Sequence, residues 1–295
     1  MNLRLNSFHK ASIHLLAFIF YHTPFQAYAS DAFSWDNMEK LRHSIVVPEF
    51  PDKDFPITDF GAIPDGKTDS TEAIRLAIDA CSQAGGGRVI ATGGTFNTGP
   101  IHLKSNVNLH VDQGATLSFY TDPKRYLPAV HTRYEGVEVM NYSPLIYAYH
   151  QKNLAITGRG TLDGQANETN WWKLTPPRTG QESKENPHHK TQLFRMAEMG
   201  TPLAERNFGA SSQLRPTFIE PYACENILIE DITVTNAPFW MIHPVLSRNI
   251  TVRGVTCDSA GPNNDGCDPE FVKESVFDHV HDLTIRNLQI GTANN

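Results

Sequence analysis

The sequence predicts an all-β parallel β-helix, a solenoid of stacked coils whose N-terminal end is covered by a short capping helix. Two observations predict this fold class. Short alternating strands of one common template recur along the chain, and a single amphipathic helix precedes them. A coil of such a solenoid cannot bury its apolar face alone, so a run of neighbouring coils is required.

The capping helix is predicted near the N-terminal end of the fold. A short strand over 55–60 and a turn at 64–66 precede it, and Asp69 and Glu72 have the spacing of a capping box. Apolar residues then recur at helical spacing until three glycines at 85–87 end the helix. Because these glycines follow the helix and do not open it, they are not a phosphate-binding loop.

The solenoid itself is predicted from short strands, first at 88–91, 107–111 and 116–119. Four later units each place a polar turn residue before an alternating strand, a break and a second strand; they begin at Asn153, Asn226, Asn249 and Asp282. The second and third units start 23 residues apart, a period typical of solenoids. An antiparallel sandwich is less favoured, because its two-residue Asn-Gly or Asp-Gly hairpin links are missing between these units.

The N-terminal residues predict export. A basic start with Arg4 and Lys10, an apolar run over 11–21 and the small-residue pattern 27–29 indicate a signal peptide over residues 1–29. The apolar run is too short for a membrane span. We therefore expect a secreted or periplasmic protein with a lead-in at 30–54 and one β-helix domain at 55–295.

Composition excludes some functions. The formal charge is −7 without a basic stripe, so no nucleic-acid partner is expected. The four cysteines match no zinc spacing, and both disulfides and buried free thiols stay open. We expect a monomer without a membrane span, cofactor or metal.

Residues 165–216 interrupt the repeats and are predicted to be a long loop beside a binding face, with a short helix near 193–199. Trp171 and Trp172 could stack on sugar rings, although loop packing is the commoner role of such aromatic residues. The pair His188 and His189 is weak support for a metal site.

The chemistry is predicted at 261–270, where Asp265, Asp268 and Glu270 place three carboxylates within six residues. Inverting hydrolysis of a glycosidic bond needs one carboxylate to activate water and one acid to protonate the leaving oxygen. One turn can supply only one side of that pair. From the residues alone, ordinary turn chemistry explains the Asn-Asn-Asp-Gly segment equally well.

A resemblance favours the catalytic interpretation. Asn-Asn-Asp-Gly at 263–266 is similar to the Asn-Thr-Asp-Gly motif of the polygalacturonase family of pectin-degrading glycoside hydrolases. Segments 60–69, 99–101, 109–115, 215–219 and 236–244 also resemble that family, the last two its bacterial exo-acting branch. The resemblance implies a right-handed β-helix that hydrolyses galacturonosyl linkages of pectin by inversion. It makes Asp265 the catalytic residue that helps to activate water, and Asn264, His243 and Trp240 substrate-binding residues.

The sequence also departs from the family after Glu270. The family carries a paired-Asp motif one coil further on, then Gly-His-Gly and Arg-x-Lys motifs, and this chain has none of them. Two alignments place Arg286 and Asn287, or Asn294 and Asn295, at the paired position. Arginine and asparagine side chains cannot act as general acids, so the chain is expected to be inactive. The expected cause is a truncation or an internal deletion after about residue 270.

Three hypotheses follow from the sequence. The first is a polygalacturonase-type hydrolase by descent whose activity is lost or nearly lost. The second is a pectin-binding pseudoenzyme module that keeps the groove without the chemistry. The third is a calcium-dependent pectate-lyase-type enzyme, which requires a carboxylate cluster along adjacent coils. In each of them the partner is a pectic polysaccharide.

Overall fold

The structure, a computed structural model, describes residues 40, 43–177, 181–278 and 281–282. The chain divides into two compact units, residues 1–40 and 41–295. Only Lys40 of the first unit is described, so the account below concerns the second. The predicted signal peptide lies outside the described residues. No helix within these ranges is long and apolar enough to cross a membrane.

Nineteen strands are found in the described part of the chain. They are β1 (Asp54–Pro56), β2 (Asp65–Asp69), β3 (Gly87–Ala91), β4 (Gly94–Thr98), β5 (Ile101–His102), β6 (Val107–Val111), β7 (Ala115–Phe119), β8 (Val130–Tyr134), β9 (Val137–Asn141), β10 (Ile146–Tyr149), β11 (Lys152–Thr157), β12 (Thr161–Asp163), β13 (Ile219–Tyr222), β14 (Glu225–Glu230), β15 (Thr233–Thr235), β16 (Arg248–Arg253), β17 (Thr256–Asp258), β18 (Lys273–Asp278) and β19 (His281–Asp282).

Three parallel sheets form the walls of a right-handed β-helix, which confirms the predicted fold class. The first sheet has the order β1-β3-β6-β11-β14-β16-β18, and the second has the order β19-β17-β15-β12-β7-β4-β2. The third runs β13-β10-β5 and is continued by single bridges from Ile219 to Ile242 and from Ile242 to Cys267. Successive rungs lie about 4.8 Å apart, as neighbouring strands do in any sheet.

The core lies inside the solenoid, where equivalent apolar side chains of successive rungs stack on one another. Leu109, Ile156, Ile229 and Val252 occupy one such register in the first sheet, and none is more than 3% exposed. The predicted alternation of the strands reflects this inward stacking.

The capping helix α1 spans Thr71–Gln83, so the predicted helix is confirmed. The predicted capping box is wrong. Asp69 is the last residue of β2, and its carboxylate accepts hydrogen bonds from the amide and hydroxyl of Thr71 and pairs with Arg125 at 2.7 Å. Glu72 instead pairs with Arg75.

An asparagine ladder fixes one corner of the coils. Asn106, Asn153, Asn226 and Asn249 are stacked in register with φ of 67°, 55°, 59° and 55°. Their side-chain amides are joined by hydrogen bonds of 2.9, 2.9 and 2.6 Å. Asparagine tolerates this left-handed conformation, so the predicted turn residues are explained. The next rung has Glu274 at this position, with φ of 52°, and the ladder stops there.

The rung after β16 differs from the predicted one. β18 at 273–278 pairs with β16. His281 and Asp282 of β19 pair with Thr256 and Cys257 of β17. Asp282 therefore lies within a strand and not at the turn that was expected to start one. The rest of that predicted unit lies outside the described residues.

Two insertions leave the solenoid. One is the antiparallel hairpin of β8 and β9, and the other is the predicted loop after β12, which carries helix α2 (His189–Glu198). Both lie on the side of the third sheet.

Candidate functional site

The outward side of the third sheet carries the candidate site, which we call the groove face. Ile146, Ile219 and Ile242 point into the core. The residues that follow them, Tyr147, Glu220 and His243, therefore stack along the outside, and Asp268 takes the same position on the next rung. Tyr222, Val245 and Glu270 form a second column on this face.

Asn264 fixes the turn that carries the candidate catalytic residue. Its side-chain oxygen accepts hydrogen bonds from Ser259 Oγ (2.6 Å) and from the Gly261 amide (2.9 Å). Its nitrogen donates to the carbonyls of Ala237 (2.9 Å) and Phe239 (3.0 Å) on the preceding rung. All four hydrogen-bonding positions of the amide are thus used inside the protein. A substrate contact stays a prediction and requires one of these bonds to open.

Asp265 follows directly and is half-buried. Its carbonyl accepts a hydrogen bond from the Met241 amide (3.0 Å), which sets Asp265 beside Trp240 of the preceding rung. The backbone of Asp265 is thus hydrogen-bonded to the preceding rung. Its catalytic role stays a prediction.

Arg215 lies beneath this turn and is 1% exposed. Its guanidinium donates to the carbonyls of Pro238 (2.9 Å) and Pro262 (2.7 Å) and to Asn263 Oδ1 (2.8 Å). It also stacks on Phe239, 4.9 Å from the ring centroid. Burial lowers the pKa of Arg215 below its usual value. In the sequence Arg215 stands out only as part of a segment that resembles the family, and nothing there indicates its supporting role.

His243 is fully buried between two carboxylates. Its Nδ1 lies 3.2 Å from Glu220 Oε2, and its Nε2 lies 3.7 Å from Glu270 Oε2. Burial disfavours the charged imidazole, but the two carboxylates outweigh burial and raise the pKa of His243 to about 9. The imidazolium is therefore the form present at neutral pH. Its contact with substrate stays a prediction. In this structure the side chain is 0% exposed.

The hairpin completes this cluster from outside. Thr132 donates a hydrogen bond to Glu220 Oε1, and Arg133 Nε donates to Glu270 Oε2 at 2.7 Å. Thr217 also donates to Glu220 at 2.7 Å. Glu220, His243, Glu270 and Arg133 thus alternate in charge across three rungs and the hairpin. No sequence pattern indicates this arrangement, because its members are far apart along the chain.

Apolar side chains of the hairpin and of α2 also cover the groove face. Val130 packs on Tyr147, Tyr222 and Val245, which are at most 5% exposed. Tyr134 stacks on Phe239 at a centroid distance of 4.9 Å. The groove face is therefore filled over the rungs that precede Asp265.

The aromatic candidates differ in burial. Trp240 is half-buried, stacked on Phe239 and edge-on to His243, both at 4.9 Å. Trp171 is 1% exposed and packs on Tyr126 and Tyr142. Trp171 therefore belongs to the core in this structure and offers no open face to a sugar.

Other candidates have structural contacts. Trp172 donates its indole N–H to the carbonyl of Ala237 (2.9 Å), and His188 caps α2 by accepting from the Lys190 amide (3.1 Å). The four cysteines, all within the described residues, form no disulfide. No group of three His, Cys, Asp or Glu residues suited to a metal ion occurs in the ranges that the structure describes.

Comparison with known proteins identifies the family. An exo-poly-alpha-D-galacturonosidase of Dickeya chrysanthemi is 30% identical over 249 residues, which are 75% of this chain and 40% of that protein. A hyperthermoactive exopolygalacturonase from Thermotoga maritima has a similar structure, with a TM-score of 0.77 and 45% identity over 83% of this chain and 55% of that one. The chain belongs to the polygalacturonase family.

Other polygalacturonases agree with this assignment. A probable polygalacturonase of Vitis vinifera is 28% identical over 225 residues, 72% of this chain and 39% of that protein. No protein-family model matches the chain. This polygalacturonase-family chain spans about 40% of the length of these curated relatives.

Proposed function

We propose that the chain carries the substrate groove of a polygalacturonase-type glycoside hydrolase, binds the end of a galacturonosyl chain of pectin and does not cleave it. Asp265 is the water-activating carboxylate of an inverting pair. The support is its position in a turn that Asn264 and Arg215 fix by buried hydrogen bonds, in a chain of this family.

Binding of a chain end is supported by the hairpin. A polysaccharide lying along the solenoid would have to pass over Tyr147, Glu220 and His243, but the hairpin already packs on these rungs. Access to Asp265 is therefore left from the side of the later rungs. This arrangement favours binding of a chain end over binding along the middle of a chain, the end-or-middle question that the sequence left open.

The lack of cleavage is supported by the missing partner. In inverting hydrolases the two carboxyl groups lie about 6.5–9.5 Å apart, which a neighbouring rung can provide. The family carries its acid in a paired-Asp motif on the rung that follows, and two alignments of this chain place Arg286 and Asn287, or Asn294 and Asn295, at that position.

The test uses polygalacturonate and compares the chain with Asp265→Asn. The chain should release no more reducing ends than Asp265→Asn, whereas both should be retained in a gel that contains polygalacturonate. Asp112→Asn, a change of a half-buried carboxylate that follows β6 on another side of the solenoid, is the matched control. Hydrolysis that disappears in Asp265→Asn, but not in Asp112→Asn, would contradict the proposed inactivity.

Two alternatives give other outcomes. A pseudoenzyme dedicated to binding would show the same retention and the same lack of hydrolysis, but its affinity would not depend on a free chain end. Blocking the ends of oligogalacturonate therefore separates it from the groove proposed here. A lyase would release unsaturated ends, seen by ultraviolet absorbance, only with calcium.

The domain and export predictions are part of the proposal. Residues 1–29 are a signal peptide, 30–54 a lead-in and 55–295 one β-helix domain of a monomer. N-terminal sequencing of exported protein should begin at Ser30, the residue after Ala29. A mature chain that keeps Met1 would contradict this prediction.

A further inference from the structure

A second corner of the coils carries exposed apolar side chains. One position beyond the groove face, His150, Ala223, Leu246 and Phe271 are stacked in register on successive rungs. Leu246 is 45% exposed and Phe271 is 62% exposed, and Tyr149 beside His150 is 39% exposed. We call Tyr149, His150, Ala223, Leu246 and Phe271 the corner ridge. It is about 14 Å long, which corresponds to three rung spacings.

The backbone of the corner ridge is strained. His150, Ala223, Leu246 and Phe271 have φ of 53°, 52°, 48° and 52°, the left-handed region that bulky side chains avoid. Three residues further on, the same turns return to this region, and there asparagines fill the position in the described rungs up to Asn249. Asparagine, which tolerates the left-handed conformation, thus occupies one corner and is not used at the corner ridge.

Strain and exposure together favour a binding role. Leu246 and Phe271 expose apolar surface and adopt an unfavourable conformation, and asparagine would reduce both costs. Residues that cost stability in this way are commonly found where a ligand is bound.

The charges beside the corner ridge indicate the ligand. Two residues after the corner, Lys152, Arg248 and Lys273 are exposed in one column with the single carboxylate Glu225. Glu225 pairs with Lys152 at 3.0 Å and with Arg248 at 2.7 Å, so the column keeps excess positive charge. The whole chain, in contrast, has a formal charge of −7.

The corner ridge is continuous with the groove face at Glu270. Phe271 follows Glu270 directly, and the guanidinium of Arg133, paired with Glu270, lies 5.0 Å from the Phe271 ring centroid. A polymer whose end occupies the groove can therefore reach the corner ridge with another of its segments or with a neighbouring strand.

From this arrangement we propose that the corner ridge is an accessory binding site for a polyuronate chain, separate from the groove. Apolar faces of the sugar rings pack on Phe271 and Leu246, and the sugar carboxylates face Arg248 and Lys273. This inference rests on the proposed function, because it takes the same polymer as the ligand.

The test compares the double variant Leu246→Asn/Phe271→Asn with Leu76→Asn, which changes an exposed leucine of α1. Retention by a polygalacturonate gel should fall about five- to ten-fold in the double variant, the loss of one or two ring contacts. Binding of trigalacturonate, measured by calorimetry, should stay within two-fold of the unchanged chain, about the precision of that comparison. The melting temperature should be unchanged or raised, whereas a structural role predicts that it falls.

A charge variant tests the second half of the proposal without touching the core. Lys273→Gln should weaken polymer retention and its dependence on salt, and Lys67→Gln, on a distant strand, should not. Unchanged retention of the double variant would overturn the accessory site while trigalacturonate binding keeps the groove proposal intact. If the unchanged chain bound neither the polymer nor trigalacturonate, the accessory site and the groove proposal would both be overturned. Self-association that the double variant abolishes would identify the corner ridge as a contact between copies and overturn its assignment to polyuronate.

Discussion

The buried imidazole between Glu220 and Glu270 gives a pH-dependent stability that can be measured. The folded chain raises the pKa of His243 from 6.5 to about 9. Each pKa unit corresponds to 1.36 kcal/mol, so protonated His243 contributes about 3 kcal/mol to the free energy of unfolding. Since the folded pKa lies above the unfolded one, this contribution is fully present below about pH 6.5. It declines as the pH rises and is lost above about pH 9.

The perturbation is His243→Gln, which leaves two buried carboxylates facing each other without the cation. Breaking a buried charge cluster in this way costs about 3–5 kcal/mol. The variant should also lose the decline in stability between pH 6.5 and pH 9 that the unchanged chain shows. Urea denaturation followed by circular dichroism at pH 6 and pH 9.5 measures both effects.

A second substitution provides the control. Glu220→Gln removes one of the two facing carboxylates, so the double variant Glu220→Gln/His243→Gln should be more stable than His243→Gln alone. If His243→Gln kept the same dependence on pH as the unchanged chain, the imidazole would not be the titrating group, and the reasoning would be refuted.

Three further predictions concern the supports of the fold and the site. Asn226→Ala should lower the free energy of unfolding by about 2–4 kcal/mol, because two ladder hydrogen bonds are lost and alanine disfavours the left-handed conformation; Asn226→Gly should lose about 1 kcal/mol less by urea denaturation. Glu274→Asn should extend the ladder by one rung and raise stability by about 0.5–1.5 kcal/mol, and no change would show that this rung is not in register. Arg215→Met should cost about 2–4 kcal/mol and weaken retention on polygalacturonate, because Pro262 and Asn263 lose their buried donor next to Asp265.

The parts of the fold that repeat could be predicted from the sequence. Asn153, Asn226 and Asn249 are the second residues of β11, β14 and β16, close to the predicted starts, because each coil needs the same left-handed corner and the same inward apolar residues. Local capping was predicted less well. Asp69 and Glu72 have the spacing of a capping box, but Ser70 takes the N-cap position, Asp69 bonds to Thr71 and Arg125, and Glu72 pairs with Arg75.

The surroundings of the site could not be predicted. Asp265 and Asn264 were found from a short motif, whereas the contacts of His243 depend on Glu220, Glu270 and Arg133, which lie 23, 27 and 110 residues away in the chain. Nothing in the periodicity of a solenoid shows which rungs an inserted hairpin will cover. The sequence therefore predicts a groove but not the burial that closes it.

The spacing of the rungs indicates, without alignment to the family, which residues follow Asp265 by one repeat. Ile219, Ile242 and Cys267 are consecutive bridge partners, 23 and 25 residues apart. The same spacing, counted along the sequence from Asp265, leads to Leu288, Gln289 and Ile290, which lie outside the described residues. None of these side chains can donate a proton to a leaving group.

The preceding rungs do not replace the missing acid. Trp240 stands beside Asp265 on the rung before, and Glu220, two rungs before, is 0% exposed and already bonded to Thr132, Thr217 and His243. A carboxylate in that position would have to break three contacts to reach a sugar oxygen. Glu220 is therefore not available as the general acid unless this buried cluster opens.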